Sequence, residues 1–116
     1  DAWQAKTIQS TMGSIFRIEI METDLKEFLL ETHVRASQHE IPIYGALMEG
    51  ENIFTKKIEK KNGVIIIGSE SHGIRQDILP FVTSPIHIPR AKGSKTESLN
   101  ASVAAAIIIS TIHNSY

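Results

Sequence analysis

Gly68 and Gly73 flank a carboxylate, Glu70, in a short loop of this 116-residue chain. Because glycine carries no Cβ atom, a ligand can approach the backbone closely at both ends of the loop, while Glu70 projects between them. A second polar segment, residues 97–100 (Glu-Ser-Leu-Asn), stands at the start of a predicted helix, where free N–H groups and the helix dipole favour polar or anionic ligands. Both segments are candidate binding sites. A strand-to-helix turn with a solvated Glu70 and a simple helix N-cap at 98–100 are their ordinary structural explanations.

The elements that would position these segments are predicted from apolar periodicity and from Gly and Pro boundaries. Residues 64–67 are β-branched without alternation, which is typical of a strand covered on both faces of a parallel sheet. Alternation and proline positions predict further strands over 14–20, 41–44 and 86–89. Helical turns are predicted over 5–12 and 74–81, and a long helix over 98–113 that is apolar around most of its circumference and should be buried on several sides.

One more helix is predicted to follow a cap at Thr23 or Asp24, with one face formed by Leu25, Phe28, Leu29 and Thr32. Gly45 is expected to begin a loop, and the charged stretch 49–62 to form a surface connection, with one more short strand or helical turn within it as an alternative. Strands that alternate with helices predict an α/β fold with a mostly parallel sheet and helices on both faces. Ligands of such sheets bind beyond the carboxyl ends of the strands, a position that the predicted loops 44–46, 68–73 and 89–100 occupy.

The composition excludes several classes of function. Twelve Lys and Arg residues against 13 Asp and Glu residues give a net charge of −1, which argues against binding nucleic acid by bulk charge. The chain has no cysteine, so disulfides and cysteine-ligated zinc are ruled out. The five histidines lack ligand spacing with carboxylates, and no metal site is expected. The longest apolar run, 103–109, is far shorter than the ~20 residues that span a bilayer, so we expect a cytoplasmic protein with no membrane segment.

Three segments together closely resemble motifs two and three of the SpoU-type (TrmH-like) RNA 2′-O-ribose methyltransferases, which belong to the SPOUT superfamily. They are residues 65–74 (IIIGSESHGI), 86–89 (IHIP) and 97–106 (ESLNASVAAA). Residues 11–18 (TMGSIFRI) resemble the stretch before the third strand of that family, so the likeness runs from about residue 6 to the end. The resemblance implies a SPOUT fold, in which the C-terminal helix threads a loop to form a trefoil knot. It also implies methyl transfer from S-adenosylmethionine to a ribose 2′-hydroxyl of tRNA or rRNA.

The resemblance also assigns roles to individual positions. Gly68, Ile88 and Leu99 match the positions that hold the methyl donor, with a glycine at 68 because a side chain would collide with the adenosine. Glu70, Ser98 and Asn100 match the polar active-site positions that orient the target ribose. Arg90, Lys92 and Lys95 lie beside this site and would contact RNA phosphates, although a purely solubilising role is an alternative for them. Members of the family are usually homodimers, and we expect one here.

The first motif of the family, an Asn-x-Gly segment followed by an Arg, is absent from the sequence. In the family that Arg is thought to assist deprotonation of the 2′-hydroxyl. We therefore expect residues 1–116 to be the C-terminal portion of a methyltransferase catalytic domain, with motifs two and three present and an N-terminal strand and helix missing. The alternative is a non-catalytic module that binds S-adenosylmethionine and RNA.

Overall fold

The computed structural model describes residues 18–39, 41–59, 62–69, 71–89 and 100–114, and of 33–39 the backbone only. The elements in chain order are helix α1 (Leu25–His39), strand β1 (Ile43–Asn52), strand β2 (Val64–Ile66), a 3₁₀ helix (Leu79–Phe81), strand β3 (Ser84–His87) and helix α2 (Ala101–His113). The helical turn predicted over 5–12 and most of the strand predicted over 14–20 lie outside the described residues. Residues 18–20, the described end of that strand, are not in a strand.

The described strands form one parallel sheet in the order β2-β1-β3. Ile43 at the start of β1 pairs with Val64 of β2, and Tyr44 pairs with Ser84 of β3. Thr83 holds this end of β1, because its Oγ1 accepts from Ile43 N at 2.9 Å and its own N–H donates to Ile43 O at 3.0 Å. The prediction of a parallel α/β sheet is confirmed.

Two apolar clusters cover the two faces of this sheet. Successive side chains of a strand point to opposite faces, so Val64 and Ile66 join one cluster while Ile65 and Ile67 join the other. The first cluster has the buried residues Leu29, Ile43, Ile66, Ile74, Ile78 and Phe81. The second has Tyr44, Ile53, Ile58, Ile86, Ile108 and Ile112. Helix α1 thus contributes to one face and α2 to the other, as expected for a strand buried on both sides.

Helix α1 begins as its sequence predicts. The Oδ1 of Asp24 accepts a hydrogen bond from the backbone N–H of Glu27 at 3.0 Å, which satisfies one of the free donors of the first turn. Leu29 is fully buried and Phe28 packs against the first cluster, whereas Leu25 is exposed. Asp24, rather than Thr23, therefore caps the helix.

Strand β1 continues well past the predicted end at Tyr44, and the loop expected at Gly45 is wrong. Gly45 pairs with Ile66 on one side and with Pro85 on the other, so tertiary pairing overrides the low strand preference of glycine. The strand ends at Asn52, and the first residues of the predicted 49–62 connection belong to it. Residues 46–52 thus follow the predicted end of the strand, and the strand at 49–52 agrees with the alternative of a short strand within the stretch 49–62.

Two further predictions are corrected around the prolines. The helix predicted over 74–81 is a series of turns ending in the 3₁₀ helix, because Pro80 lacks an N–H and disfavours α-helical geometry at the residue before it. The strand predicted over 86–89 spans Ser84–His87 instead. Pro85 is tolerated within it because β3 is an edge strand of the described sheet.

Helix α2 buries one side rather than several. It begins at Ala101, three residues after the predicted start, and packs on the sheet through Ile108 and Ile112, which are 0% and 4% exposed. Val103 and Ile109 are 47% and 56% exposed, so the prediction of burial on several sides is wrong. The sheet covers only the stripe that contains Ile108 and Ile112.

We predict that Ile108→Ala lowers the free energy of unfolding by about 2–5 kcal/mol, because it removes a fully buried side chain and leaves a cavity. The adjacent Ile109→Ala is the matched control and should change stability by less than about 0.5 kcal/mol, because Ile109 is mostly exposed. Urea denaturation measures both. Equal losses in the two variants would contradict this placement of α2.

Candidate functional site

An open cavity of about 530 Å³ lies beyond the carboxyl end of β2, next to the end of β3 and the middle of β1. Its size falls within the range of roughly 300–1,000 Å³ that is usual for small-molecule sites. Five parts of the chain form its described walls. They are residues 46–49 of β1, residues 67–69 and 71–74 after β2, Leu79 of the 3₁₀ helix, Ile86 to Ile88 at the end of β3, and Ala101 and Ala104 of α2. The site thus lies where parallel sheets place their ligands.

The loop after β2 is held closed by its own hydrogen bonds. Ser69 N donates to Gly73 O at 3.2 Å, and Gly73 N donates to Ser69 O at 2.9 Å. The N–H of His72 donates to Ser69 Oγ at 3.0 Å, and the Nδ1 of His72 lies 2.7 Å from Ser71 Oγ. Ser69, Ser71 and His72 all line the cavity, so this hydrogen-bonded loop forms part of its wall.

Gly68 is required by the fold of this loop. A Cβ atom at position 68 would lie 2.2 Å from the carbonyl carbon of Gly73 and 2.4 Å from the nitrogen of Ile74, distances that real Cβ contacts essentially never show. The resemblance attributes the glycine to contact with an adenosine, but the chain itself already excludes a side chain there. Substituting Gly68 would therefore disturb the loop whether or not a ligand binds.

A change of register in β1 forms the opposite wall. Ala46 and Glu51 both pair with Ile86, so the residues between them depart from regular pairing. Gly50 makes this possible, since a Cβ atom there would lie 2.4–2.5 Å from backbone atoms of Ile86. Leu47, Met48 and Glu49 line the cavity as a result. Our sequence reasoning missed this wall, although a glycine within a strand is a signal of a bulge or a close approach.

Asn100 is the N-cap of α2. Its Oδ1 accepts a hydrogen bond from Ser102 N at 2.8 Å, which confirms the simple helix-cap explanation of this position. The cap uses the side-chain oxygen, so the two amide N–H donors are not needed for it. The next residue, Ala101, lines the cavity, so the cap stands at the edge of the site.

Of the three positions predicted to hold a methyl donor, Gly68 and Ile88 both line the cavity. The third, Leu99, lies outside the described residues, as do Glu70, Ser98, Arg90, Lys92 and Lys95. Within the part of the chain that the structure describes, no three His, Asp or Glu side chains are grouped closely enough to hold a metal ion. Among those same residues, no helix has the length and apolar character needed to span a bilayer.

One ionisable side chain near the sheet has a shifted pKa. Burial in the second core cluster raises the pKa of the Tyr44 hydroxyl, and the positive charge of Lys56 partly offsets this effect. Lys56 in turn pairs with Glu51, with 2.9 Å between Nζ and Oε2. The Tyr44 side chain belongs to the core rather than to the walls of the cavity.

Proteins with parallel α/β sheets bind small ligands beyond the carboxyl ends of the strands, and this chain has a cavity at that edge of its sheet. The family model of the SpoU rRNA methylases matches residues 1–110 of the chain. The chain therefore belongs to the SpoU rRNA methylase family.

Several characterised proteins are similar to it. The 23S rRNA (guanosine(2553)-2′-O)-methyltransferase RlmP of Bacillus subtilis is 26% identical over 109 residues, which cover 94% of this chain and 42% of that protein. A TrmH-family protein from Porphyromonas gingivalis has the same fold, with a TM-score of 0.81 and 26% identity over 97% of this chain and 44% of that one. The methyltransferase AviRb of Streptomyces viridochromogenes, solved with AdoMet, gives a TM-score of 0.76 at 22% identity, over 97% of this chain and 45% of that one. The chain thus spans less than half the length of these relatives.

We predict that Asn100→Ala lowers the free energy of unfolding by about 1 kcal/mol, because the N–H of Ser102 loses its acceptor. Asn100→Asp should be at least as stable as the wild type, since it keeps an acceptor and adds a negative charge at the helix N-terminus. Chemical denaturation of the three proteins measures this. A wild-type stability for Asn100→Ala would show that the cap contributes nothing.

Proposed function

We propose that this chain is part of an S-adenosylmethionine-dependent RNA methyltransferase that transfers a methyl group to a ribose 2′-hydroxyl of tRNA or rRNA. The observation that carries the proposal is the cavity itself, because its lining includes residues from all three segments that resemble the SpoU motifs, 65–74, 86–89 and 97–106. Two relatives support it, because RlmP is a 23S rRNA 2′-O-methyltransferase and AviRb was solved with AdoMet bound.

The residues of the cavity suit the donor chemically. Its volume accommodates a nucleoside with an amino-acid tail, and Ile67, Ile74 and Ile88 supply apolar surface for an adenine ring. Ser69 and Ser71 offer hydroxyls for the polar parts of such a ligand. When bound, S-adenosylmethionine supplies an electrophilic methyl group. Gly68 and Ile88, together with Leu99, would hold the donor through main-chain groups.

The acceptor side of the proposal concerns the remaining predicted positions. Glu70, Ser98 and Asn100 would orient the target ribose, and the amide donors of Asn100 remain available because its cap uses Oδ1. Arg90, Lys92 and Lys95 would contact phosphates of the RNA, which position the substrate without specifying its sequence.

The same proposal includes the organisation expected of the family. Residues 1–116 would form part of a SPOUT catalytic domain with motifs two and three, a C-terminal trefoil knot and a homodimeric assembly in the cytoplasm. The agreement in fold with the Porphyromonas gingivalis protein, over 97% of this chain, supports the domain assignment.

A second candidate is a module that binds S-adenosylmethionine and RNA without catalysing methyl transfer. Such a module would lack the Asn-x-Gly…Arg motif, which residues 1–116 do not contain. Both candidates require the same donor cavity, so they differ in methyl transfer and not in donor binding.

We predict that Ala104→Phe weakens S-adenosylmethionine binding at least tenfold, because Ala104 lines the cavity and a phenyl ring would fill it. Ala106→Phe is the matched control on the same helix, at an exposed position, and should bind like the wild type. Isothermal titration calorimetry of the three proteins gives the comparison. Equal affinities in all three would place the donor somewhere other than this cavity.

Methyl transfer itself is tested with Asn100→Asp, which keeps the helix cap and removes the amide donors. We predict a fall of ~10²–10³ in the rate of radiolabelled methyl incorporation into bulk tRNA or rRNA, the usual cost of losing one positioned donor. Donor affinity should stay within about twofold. The assay uses the whole protein of which this chain is proposed to be part. Unchanged incorporation would remove Asn100 from the active site, and a whole protein that binds the donor without transferring methyl would support the second candidate.

A further inference from the structure

Among the described residues that line the cavity, Glu49 is the only one with a carboxylate side chain. The other titratable groups lining it are the imidazoles of His72 and His87, and the described lining includes no Lys or Arg. Most of the remaining lining is apolar, from residues such as Leu47, Ile67 and Ile88. Glu49 is therefore the negatively charged side chain of the described lining.

The register shift in the backbone of β1 places Glu49 at the cavity. Ala46 and Glu51 share Ile86 as their pairing partner, and Gly50 packs directly against the Ile86 backbone. The residues between these two pairings are thus turned out of register and towards the cavity. In a regular strand, Glu49 and Glu51 would point to the same face, two residues apart. Instead, Glu49 lines the cavity, whereas Glu51 pairs with Lys56 at 2.9 Å.

The donor assigned under the proposed function carries a sulfonium, an ammonium and one carboxylate at its amino-acid end, so this end has a net positive charge. A carboxylate at the rim of a largely apolar cavity attracts such a group more strongly than it would in open water. Resting on that proposed function, we propose that Glu49 binds the cationic methionine end of S-adenosylmethionine. Glu49 thereby distinguishes the charged donor from uncharged adenosine derivatives.

Because Glu49 is exposed, its contribution should be moderate. We expect Glu49→Gln to weaken S-adenosylmethionine binding about threefold to tenfold, which corresponds to the usual strength of a partly solvated ion pair. The substitution keeps the shape of the side chain, and no hydrogen bond of the described structure depends on the carboxylate, so folding should be unaffected. Glu49→Lys should have a larger effect of the same sign.

The experiment is calorimetric titration of the whole chain at neutral pH, where the α-ammonium group of the ligands is mostly protonated. The ligands are S-adenosylmethionine, S-adenosylhomocysteine, which keeps only the ammonium, and methylthioadenosine, which has neither cation. Glu51→Gln is the matched control: it removes the same charge from the same strand, at a side chain paired with Lys56 instead of lining the cavity.

We expect Glu49→Gln to weaken S-adenosylmethionine and leave methylthioadenosine within about 1.5-fold, while Glu51→Gln changes neither. A smaller loss for S-adenosylhomocysteine would assign the contact to the sulfonium, and an equal loss would assign it to the ammonium; both support the proposal. Unchanged affinity for S-adenosylmethionine, or equal weakening of all three ligands, would overturn it. A wild type that binds none of the three would instead overturn the proposed function, and this inference with it.

Discussion

Gly50 lies against the peptide of Ile86 so closely that a Cβ atom would overlap the Ile86 backbone. This contact lets β1 pair twice with the same residue of β3, once through Ala46 and once through Glu51. The strand therefore continues to Asn52, while Leu47, Met48 and Glu49 line the cavity. A comparable approach on the other side brings Gly68 against the peptide between Gly73 and Ile74 and closes the loop after β2. Both walls of the cavity thus depend on backbone packed directly on backbone.

The helix at the remaining wall depends on small side chains in the same way. Ala101 and Ala104 line the cavity on α2, while Ile108 and Ile112, one turn and two turns further along, anchor the helix on the sheet. The Asn100 cap fixes where the helix begins, and therefore where these alanines lie. Stability and the candidate site consequently share one helix: its C-terminal half packs, and its N-terminal end leaves room for a ligand.

Much of the fold follows from local pattern. The β-branched run of β2 predicted a strand buried on both faces, and Asp24 was one of two predicted caps of α1; the structure confirms both. The extent of β1 could not be predicted, because Gly45 and Gly50 contact β3, which is more than 30 residues away in the sequence. A prediction from neighbouring residues does not include such contacts. The start of β3 was predicted two residues too late because Pro85 was not expected within a strand. A proline is tolerated in an edge strand, and the sequence does not reveal which strand lies at the edge.

The same distinction between local pattern and distant contacts applies to the candidate site. Gly68 and Ile88 were predicted from the SpoU-like motifs and do line the cavity, whereas the β1 wall depends on pairing with Ile86 and was missed. Asn100 had two explanations, a helix N-cap and an active-site residue. The structure shows that it caps the helix, and its amide donors are still free for the proposed active-site role. Glu70, Ser98 and Leu99 stay predictions.

The most direct test of the central claim, that this cavity is the donor site of a SpoU-family domain, is amide chemical-shift mapping by NMR during titration with S-adenosylmethionine. The account predicts that the largest shifts occur together in three separate segments, at 47–49, at 68–74 and at Ala101 and Ala104. Shifts confined to another surface, or no shifts at saturating donor, would contradict it.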